Sequence, residues 1–343
     1  MSRPTTTMRR LLTAGLLGVL VIAAVAGILA WKANGDSSAA QSMRRVALMH
    51  VGIDHVPASR NTLTARLAEL GWVEGRNIEL IWRNLEPKDA PEQAREFVRQ
   101  RVDVIVAFED TSIAAAQAAT ARVDDRIPIV FLHPTDPVRD GLVPSLSRPN
   151  RNLTGVFGAR DVVAKQLERY QLIVPGLRRV LTLVDPTDKR TDRLLREYRT
   201  AAAQLPRRLE LDVREASNAE DLRRIFGSLR PGEVDGAFLL SSSLRLNFSS
   251  LTIRLAERAR IPVQAHRKEW VEKGALFSYG TNLLPLGRAG ARYVDAILRG
   301  AQPADLAVQE IPEVEFAINL RTASRLGIKP PQDMIIRADE VYR

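Results

Sequence analysis

Beyond residue 43 the chain alternates two hydrophobic patterns. Short apolar runs are followed by longer stretches in which apolar side chains recur every third or fourth position. Continuous runs bounded by polar residues predict buried strands, and the longer period predicts amphipathic helices. Strands are expected over Val46–Met49, Asn77–Trp82, Val102–Ala107 and Pro128–Leu132, with helices over Ser59–Leu70, Pro91–Arg101 and Ser112–Arg122 between them. The scheme then repeats. Strands are expected over Arg179–Val184, Leu209–Val213 and Val234–Leu240, with another beginning at Pro262 and Val263. Helices are expected over Thr191–Gln204, Ala219–Leu229 and Leu251–Arg258. Strands alternating with helices of this length predict parallel sheets covered on both faces. Two successive sets predict an α/β fold of two doubly wound parallel-sheet lobes joined by a hinge, with the first crossing between Gly141 and Gly158.

A third pattern precedes these. Leu11–Trp31 contains no charged residue. As a helix it would span about 31 Å, the thickness of a bilayer's hydrocarbon core. Arg3, Arg9 and Arg10 lie before it and Lys32 follows. The positive-inside rule leaves residues 1–10 in the cytoplasm and sends the rest outward. One N-terminal transmembrane helix is therefore expected ahead of the two lobes. A cleaved signal peptide has the same basic start and apolar stretch, and small residues near Ala26 and Ala40 offer cleavage sites. A buried core helix would also be apolar all round. Residues 32–43 are small and polar and read as a linker. The expected address is the inner membrane, single-pass with the soluble part in the periplasm, or the periplasm itself if the segment is cut.

Composition narrows the function. The 343 residues carry a net charge of +10. Setting aside the first 43 leaves 46 Lys and Arg against 39 acids, a balance of +7. The arginines are scattered beside acids at helical spacing, as in Glu92–Glu96 and Asp221–Arg224, and read as solvated helix faces rather than a nucleic-acid footprint. No cysteine is present, which excludes disulfides, thiolate metal sites and a cysteine-linked lipid anchor. No nucleophile elbow, phosphate loop, zinc-protease helix or dinucleotide fingerprint occurs. His50 and His55 lack a carboxylate partner at a metal-binding spacing. Neither an enzyme nor a metal or other cofactor is expected.

The polar residues share one placement, just beyond the C-terminal ends of strands, where open parallel sheets bind ligands. His50 and Asp54 follow the first strand; Glu109, Thr111 and Ser112 the third; Asp136, with Thr135, the fourth. Asp185 and Thr187, Ser241 and Ser242, and His266 occupy the corresponding places in the second half. Thr111 and Ser112 open a helix. Their hydroxyls and free N–H groups can hold a carboxylate or simply cap the helix. Glu109 and Asp110, two acids at one strand end, predict a ligand with a cationic or hydrogen-donating group.

These residues resemble the substrate-binding proteins of ABC transporters, the family with a type I periplasmic-binding-protein-like fold that includes tryptophan- and tyrosine-binding members. The pieces occur in family order over roughly residues 44–343. They are Leu70–Asn77 (LGWVEGRN), Ile127–Phe131, Thr135–Val138 with Gly141–Val143, Asn152–Gly155, Gly274–Gly280 and the tail through Phe316–Leu320 to Arg337–Glu340. The resemblance implies two α/β lobes closing on a ligand about a three-strand hinge. It assigns about 44–158 plus 282–308 to lobe 1, 159–281 to lobe 2, and 309–343 to a hinge crossing and tail. It also implies that Gln166, in the segment Lys165–Glu168, faces the ligand along with Thr111, Ser112, Thr135, Asp136 and Asp185–Thr191. The chain departs from the family pattern at Glu109–Asp110, at Ser241–Ser243 and at His266. The implied partners are a small-molecule ligand, an ABC permease with its ATPase subunit, and the membrane through the N-terminal helix; no nucleic acid is implied. A ligand-sensing domain acting with a separate signalling partner fits the same fold.

Overall fold

The computed structural model describes residues 43–52, 58–121, 127–132, 136–149, 152–160 and 162–343. The apolar run Leu11–Trp31, and Asp54 and Thr135 among the expected site residues, lie outside the described residues. Among the described residues no helix is long and apolar enough to cross a membrane.

The first sheet uses β1 (Arg44–Val51), β2 (Ile78–Leu85), β3 (Val104–Ala107), β4 (Ile129–Leu132), β5 (Leu153–Gly158) and β11 (Gln309–Ile311) in the order β11-β5-β4-β3-β1-β2. Every pairing is parallel. Successive side chains of a strand point to opposite faces, and β1 serves two cores by this rule. Val46 and Leu48 pack with the helices Ala58–Glu69 and Leu283–Leu298, while Ala47, Met49 and Val51 pack with Ala90–Arg99 and Asp110–Thr120. Burial on both sides is why the strand is a continuous apolar run rather than an alternating one. The helix Leu283–Leu298 comes from far along the chain. It settles against Ala58–Glu69 through Gly287, where a Cβ would stand 2.2 Å from the Ser59 carbonyl oxygen.

The second assembly has two hydrogen-bonded groups of strands. One is β7-β6-β8, from Glu210–Glu215, Arg179–Val184 and Gly236–Leu239. The other is β13-β12-β10-β9, from Glu340–Tyr342, Val314–Asn319, Phe277–Thr281 and Gln264–Ala265. A single bridge, Ala237 to Val263, connects them. Tyr170 reinforces the seam: its hydroxyl accepts from the Ala237 N–H at 2.9 Å and donates to the Pro262 carbonyl at 2.6 Å. The ring is fully buried.

One pairing departs from the all-parallel expectation. β10 and β12 run antiparallel. The chain leaves the second assembly along β10 and returns from the first along β12, so these neighbours must point in opposite directions. The span expected to hold the first crossing instead contains β5, a full member of the first sheet, and the crossing follows Gly158.

Three crossings lie side by side. Gly158 pairs with Ile311, and a Cβ on Gly158 would stand 2.2 Å from Thr281 Oγ1. The Asn282 N–H donates to the Glu313 carbonyl at 2.9 Å. Arg160 donates through its backbone N–H and Nε to the Glu310 carboxylate at 3.1 and 2.9 Å.

Candidate functional site

The first wall of the cleft is built by the start of the helix Asp110–Thr120. Glu109 is its N-cap, extended in backbone, and its Oε1 accepts the Ser112 N–H at 2.9 Å. The Ser112 hydroxyl returns toward the Glu109 backbone, donating to its carbonyl at 2.9 Å and accepting from its N–H at 3.2 Å. This reciprocal box satisfies donors the helix cannot satisfy itself. The other carboxylate oxygen, Oε2, stands 3.9 Å from His50 Nε2 and makes no hydrogen bond among the described residues. Burial pushes the Glu109 carboxyl up to about 7; bonds from Ser112 and the Val51 backbone and the charge of Arg267 act against burial without overcoming it. His50 belongs to β1 itself, paired with Asn84 of β2, rather than to a loop beyond the strand. Its Nδ1 is 2.9 Å from Asn84 Oδ1.

The second wall comes from the ends of β6, β8 and β9. Ser241 is fully buried, and its Oγ accepts the Asp185 N–H at 2.8 Å and meets Thr191 Oγ1 at 2.9 Å. Asp185 in turn accepts from Thr187 N and Oγ1 and from Ser243 Oγ, at 2.9, 2.7 and 2.7 Å. Burial works to raise this carboxyl, but the donors outweigh burial and hold it below its ordinary value. The network ties the ends of β6 and β8 to the start of the helix at Thr191 in one rigid surface. Gln166, on the helix Val162–Ile173, is likewise held at both ends: it donates to the Tyr279 carbonyl at 2.7 Å and accepts from the Tyr198 hydroxyl at 2.9 Å.

Between the walls lies a cavity of about 190 Å³. Glu109, Asp110 and Leu283 line it on one side, and Ser242, Arg245, His266 and Arg267 on the other. Gly158, Gly280 and Thr281, at the crossings, and Gln166 complete it. His266 is held well below its ordinary value by burial and by the charges of Arg267 and Arg245, so its ring is neutral at pH 7. Arg267 is also drawn down, chiefly by burial, and stays a cation.

At the mouth, ion pairs join the two assemblies. Asp110 pairs with Arg190, which also donates from Nε to Asp188 Oδ1 at 3.0 Å. Asp140 pairs with Arg193, and Arg139 with Glu197. Burial, with the charges of Arg245 and Arg193, pulls Arg190 down to about 10.

The expected residues therefore separate into groups. Glu109, Gln166, Ser242 and His266 line the cavity. Thr111, Asp185 and Thr187 line the mouth, with Asp110. Ser112 and Ser241 are fully buried and have polar partners within the fold, so their hydroxyls build the walls. Asp136 caps a turn, accepting from Val138 N and Arg139 N at 3.1 and 3.0 Å. Of the two acids expected to select the ligand, Asp110 pairs with Arg190, and Glu109 gives one carboxylate oxygen to its cap while the other faces His50. Sequence reasoning missed Arg245 and Arg267. Reading arginines as solvated helix faces suits Arg95 and Arg99, which pair with Glu92 on one helix, but not these two. The available signal is position: Arg267 follows His266 at a strand end, the placement shared by most of the polar candidates.

Known proteins share this architecture. A solved conserved domain protein from Vibrio cholerae is 28% identical, with a TM-score of 0.78 over 88% of this chain and 100% of its own. The structure of an ABC domain in complex with L-Trp from Streptococcus pneumonia is 20% identical, with a TM-score of 0.75 over 88% and 99%. A tyrosine-binding protein of Clostridioides difficile is 24% identical over 328 residues, 93% of this chain and 92% of that one. The family model for ABC transporter substrate binding proteins matches residues 46–342. The chain belongs to that family, whose members bind substrates rather than transform them.

Proposed function

We propose that this protein is an extracytoplasmic solute-binding protein that takes a small polar ligand between two lobes and presents it to the permease of an ABC transporter. The carrying observation is the cavity bounded by strand ends of both sheet assemblies, with three crossings packed beside it. In this reading residues 44–158 with about 282–308 form lobe 1, and 159–281 form lobe 2. The remaining tail adds β11 to the first sheet and β12 and β13 to the second. Closure about the crossings would bury the ligand without covalent chemistry. The ion pairs at the mouth support a closed arrangement.

The residues expected to meet the ligand are those lining the cavity: Glu109, Gln166, Ser242, Arg245, His266 and Arg267. The relatives that bind tyrosine and tryptophan make amino acids one class to screen. The apolar run Leu11–Trp31 would carry the chain out of the cytoplasm and either hold it at the membrane or be removed. A thermal-shift screen of the protein against amino acids, nucleosides, sugars and small carboxylates tests the binding function, because a ligand selective for the native state raises the melting temperature. The absence of any stabilising solute would overturn the reading. The N-terminal sequence of protein recovered from cells decides between anchor and cleaved leader.

A further inference from the structure

We propose that the cavity takes a small organic anion whose carboxylate is held jointly by Arg245 and Arg267. The proposal rests on the solute-binding reading above and names the ligand's charge class.

The argument is a charge inventory. Arg245 and Arg267 both line the cavity, and neither has an acid within ion-pair distance among the described residues. Among the described residues Arg245 makes one side-chain hydrogen bond, from Nη2 to Ser242 Oγ at 3.3 Å. The Arg267 guanidinium makes none among the described residues. Both side chains are half-buried. Arg169, equally half-buried, rests over the Tyr279 ring without an acid, but three other half-buried arginines are paired. Arg190 has Asp110 and Asp188, Arg193 has Asp140, and Arg214 has Asp212 and Glu233. Partly withdrawing a guanidinium from water without a counter-ion is costly, and here two stand close enough that the Arg245 charge acts on Arg267.

Among the acids, Glu269 acts on Arg267 more strongly than Glu109 or Glu315. None of the three is within ion-pair distance of it among the described residues, Glu315 is paired with Lys268, and neither Glu269 nor Glu315 lines the cavity. Asp110 is committed to Arg190. Glu109 approaches Arg267 closely enough to feel its charge but forms no ion pair with it, and burial favours its neutral form. His266 is neutral. The cavity therefore has a surplus of positive charge and guanidinium donors with free valence, together with Ser242 and the Glu109 carboxyl on the facing walls. A carboxylate matches the planar fork of arginine in charge and shape. A cationic solute would meet repulsion from both arginines.

Isothermal titration of the full protein with succinate, L-glutamate and benzoate, each beside its amide analogue, and with putrescine tests this. At least one carboxylate should bind, its amide analogue about 100-fold more weakly or worse. Arg245→Gln and Arg267→Gln should each weaken the carboxylate by a similar factor. Their melting temperatures without ligand should be equal to or above that of the parent, because each removes an unpaired enclosed charge. A structural arginine would instead lower it. If Arg267→Gln fails to fold, Arg245→Gln carries the affinity test. Equal binding of acid and amide, preference for putrescine, or carboxylate affinity unchanged in the arginine variants overturns the anion assignment while leaving solute binding standing. No response to any probe, including amino acids and sugars, overturns the solute-binding reading and the proposal together.

Discussion

Replacing Glu109 by Gln should make the protein more stable at pH 8 and alter the pH dependence of its stability. In the folded protein the Glu109 carboxyl is raised from its ordinary 4.5 to about 7. Between those values the folded state holds a proton that the unfolded state has released. The stabilising contribution is fully present below about pH 4.5 and is lost as pH rises through 7. A displacement of this size corresponds to about 3 kcal/mol. The residue is 7% exposed, so solvent screening takes little from that figure. Gln retains an oxygen to accept the Ser112 N–H, so the cap survives while the titrating proton goes. Urea unfolding of parent and variant at pH 5, 6, 7 and 8 measures the difference directly. Relative to the parent, Glu109→Gln should gain about 2.5 kcal/mol between pH 5 and 8, most of it between 5 and 7. A difference that stays flat would refute the reasoning. One of opposite sign would show that ionised Glu109 is paired with Arg267 and that burial is not dominant.

Other substitutions test the supporting frame. Asp110→Asn should loosen the mouth and cost about 1–2 kcal/mol, since Arg190 keeps Asp188; a double-mutant cycle with Arg190→Ala should show coupling of about 1 kcal/mol or more, and no coupling would remove the pair as a latch. Tyr170→Phe should cost about 1–3 kcal/mol in urea unfolding by removing the hydroxyl from the β8–β9 seam, and a neutral result would show that the Ala237–Val263 bridge suffices. Gly158→Ala should cost about 2 kcal/mol or more because its Cβ would collide with Thr281, and Thr281→Ala in the same chain should recover part of the loss; absence of recovery would place the strain elsewhere.

The alternation of strand and helix was legible because most elements obey one simple period. β6 falls where the apolar run places it, Arg179–Val184, and the helix Thr191–Ala203 ends within a residue of expectation. β1 extended further than its apolar core because His50 is stabilised by pairing with Asn84 on β2, a partner that pattern alone does not reveal. β5 escaped notice because Gly155 and Gly158 interrupt its apolar character, although Leu153, Val156 and Phe157 are buried. The helix Leu283–Leu298 was hidden by Pro285, Gly287 and Gly290, residues that weaken helix propensity. Pro285 is tolerated in the first turn, and the glycines admit Ser59 and Leu132 at close range. At the site, strand-end position identified the right regions but could not tell a ligand contact from a wall-building bond. Ser112 and Glu109 are adjacent in that sense and opposite in fate. Arg245 and Arg267 were masked by composition, because a chain rich in arginine offers no local mark for the two that line the cavity.

The placement of β1 sets a mechanical reference frame. Residues 1–43 join the folded body at Arg44, the first residue of a strand within the first sheet. Any load applied through that segment enters the wall that carries Glu109. The opposite wall is joined to it covalently through the three crossings alone. If the proposed lobes close on a ligand and the chain is held from its N-terminus, the Glu109 wall would be the stationary jaw and the wall bearing Arg245 and Arg267 the one that travels. Charge in this molecule would then be distributed by mobility: the fixed jaw holds the proton, and the moving jaw carries the cations.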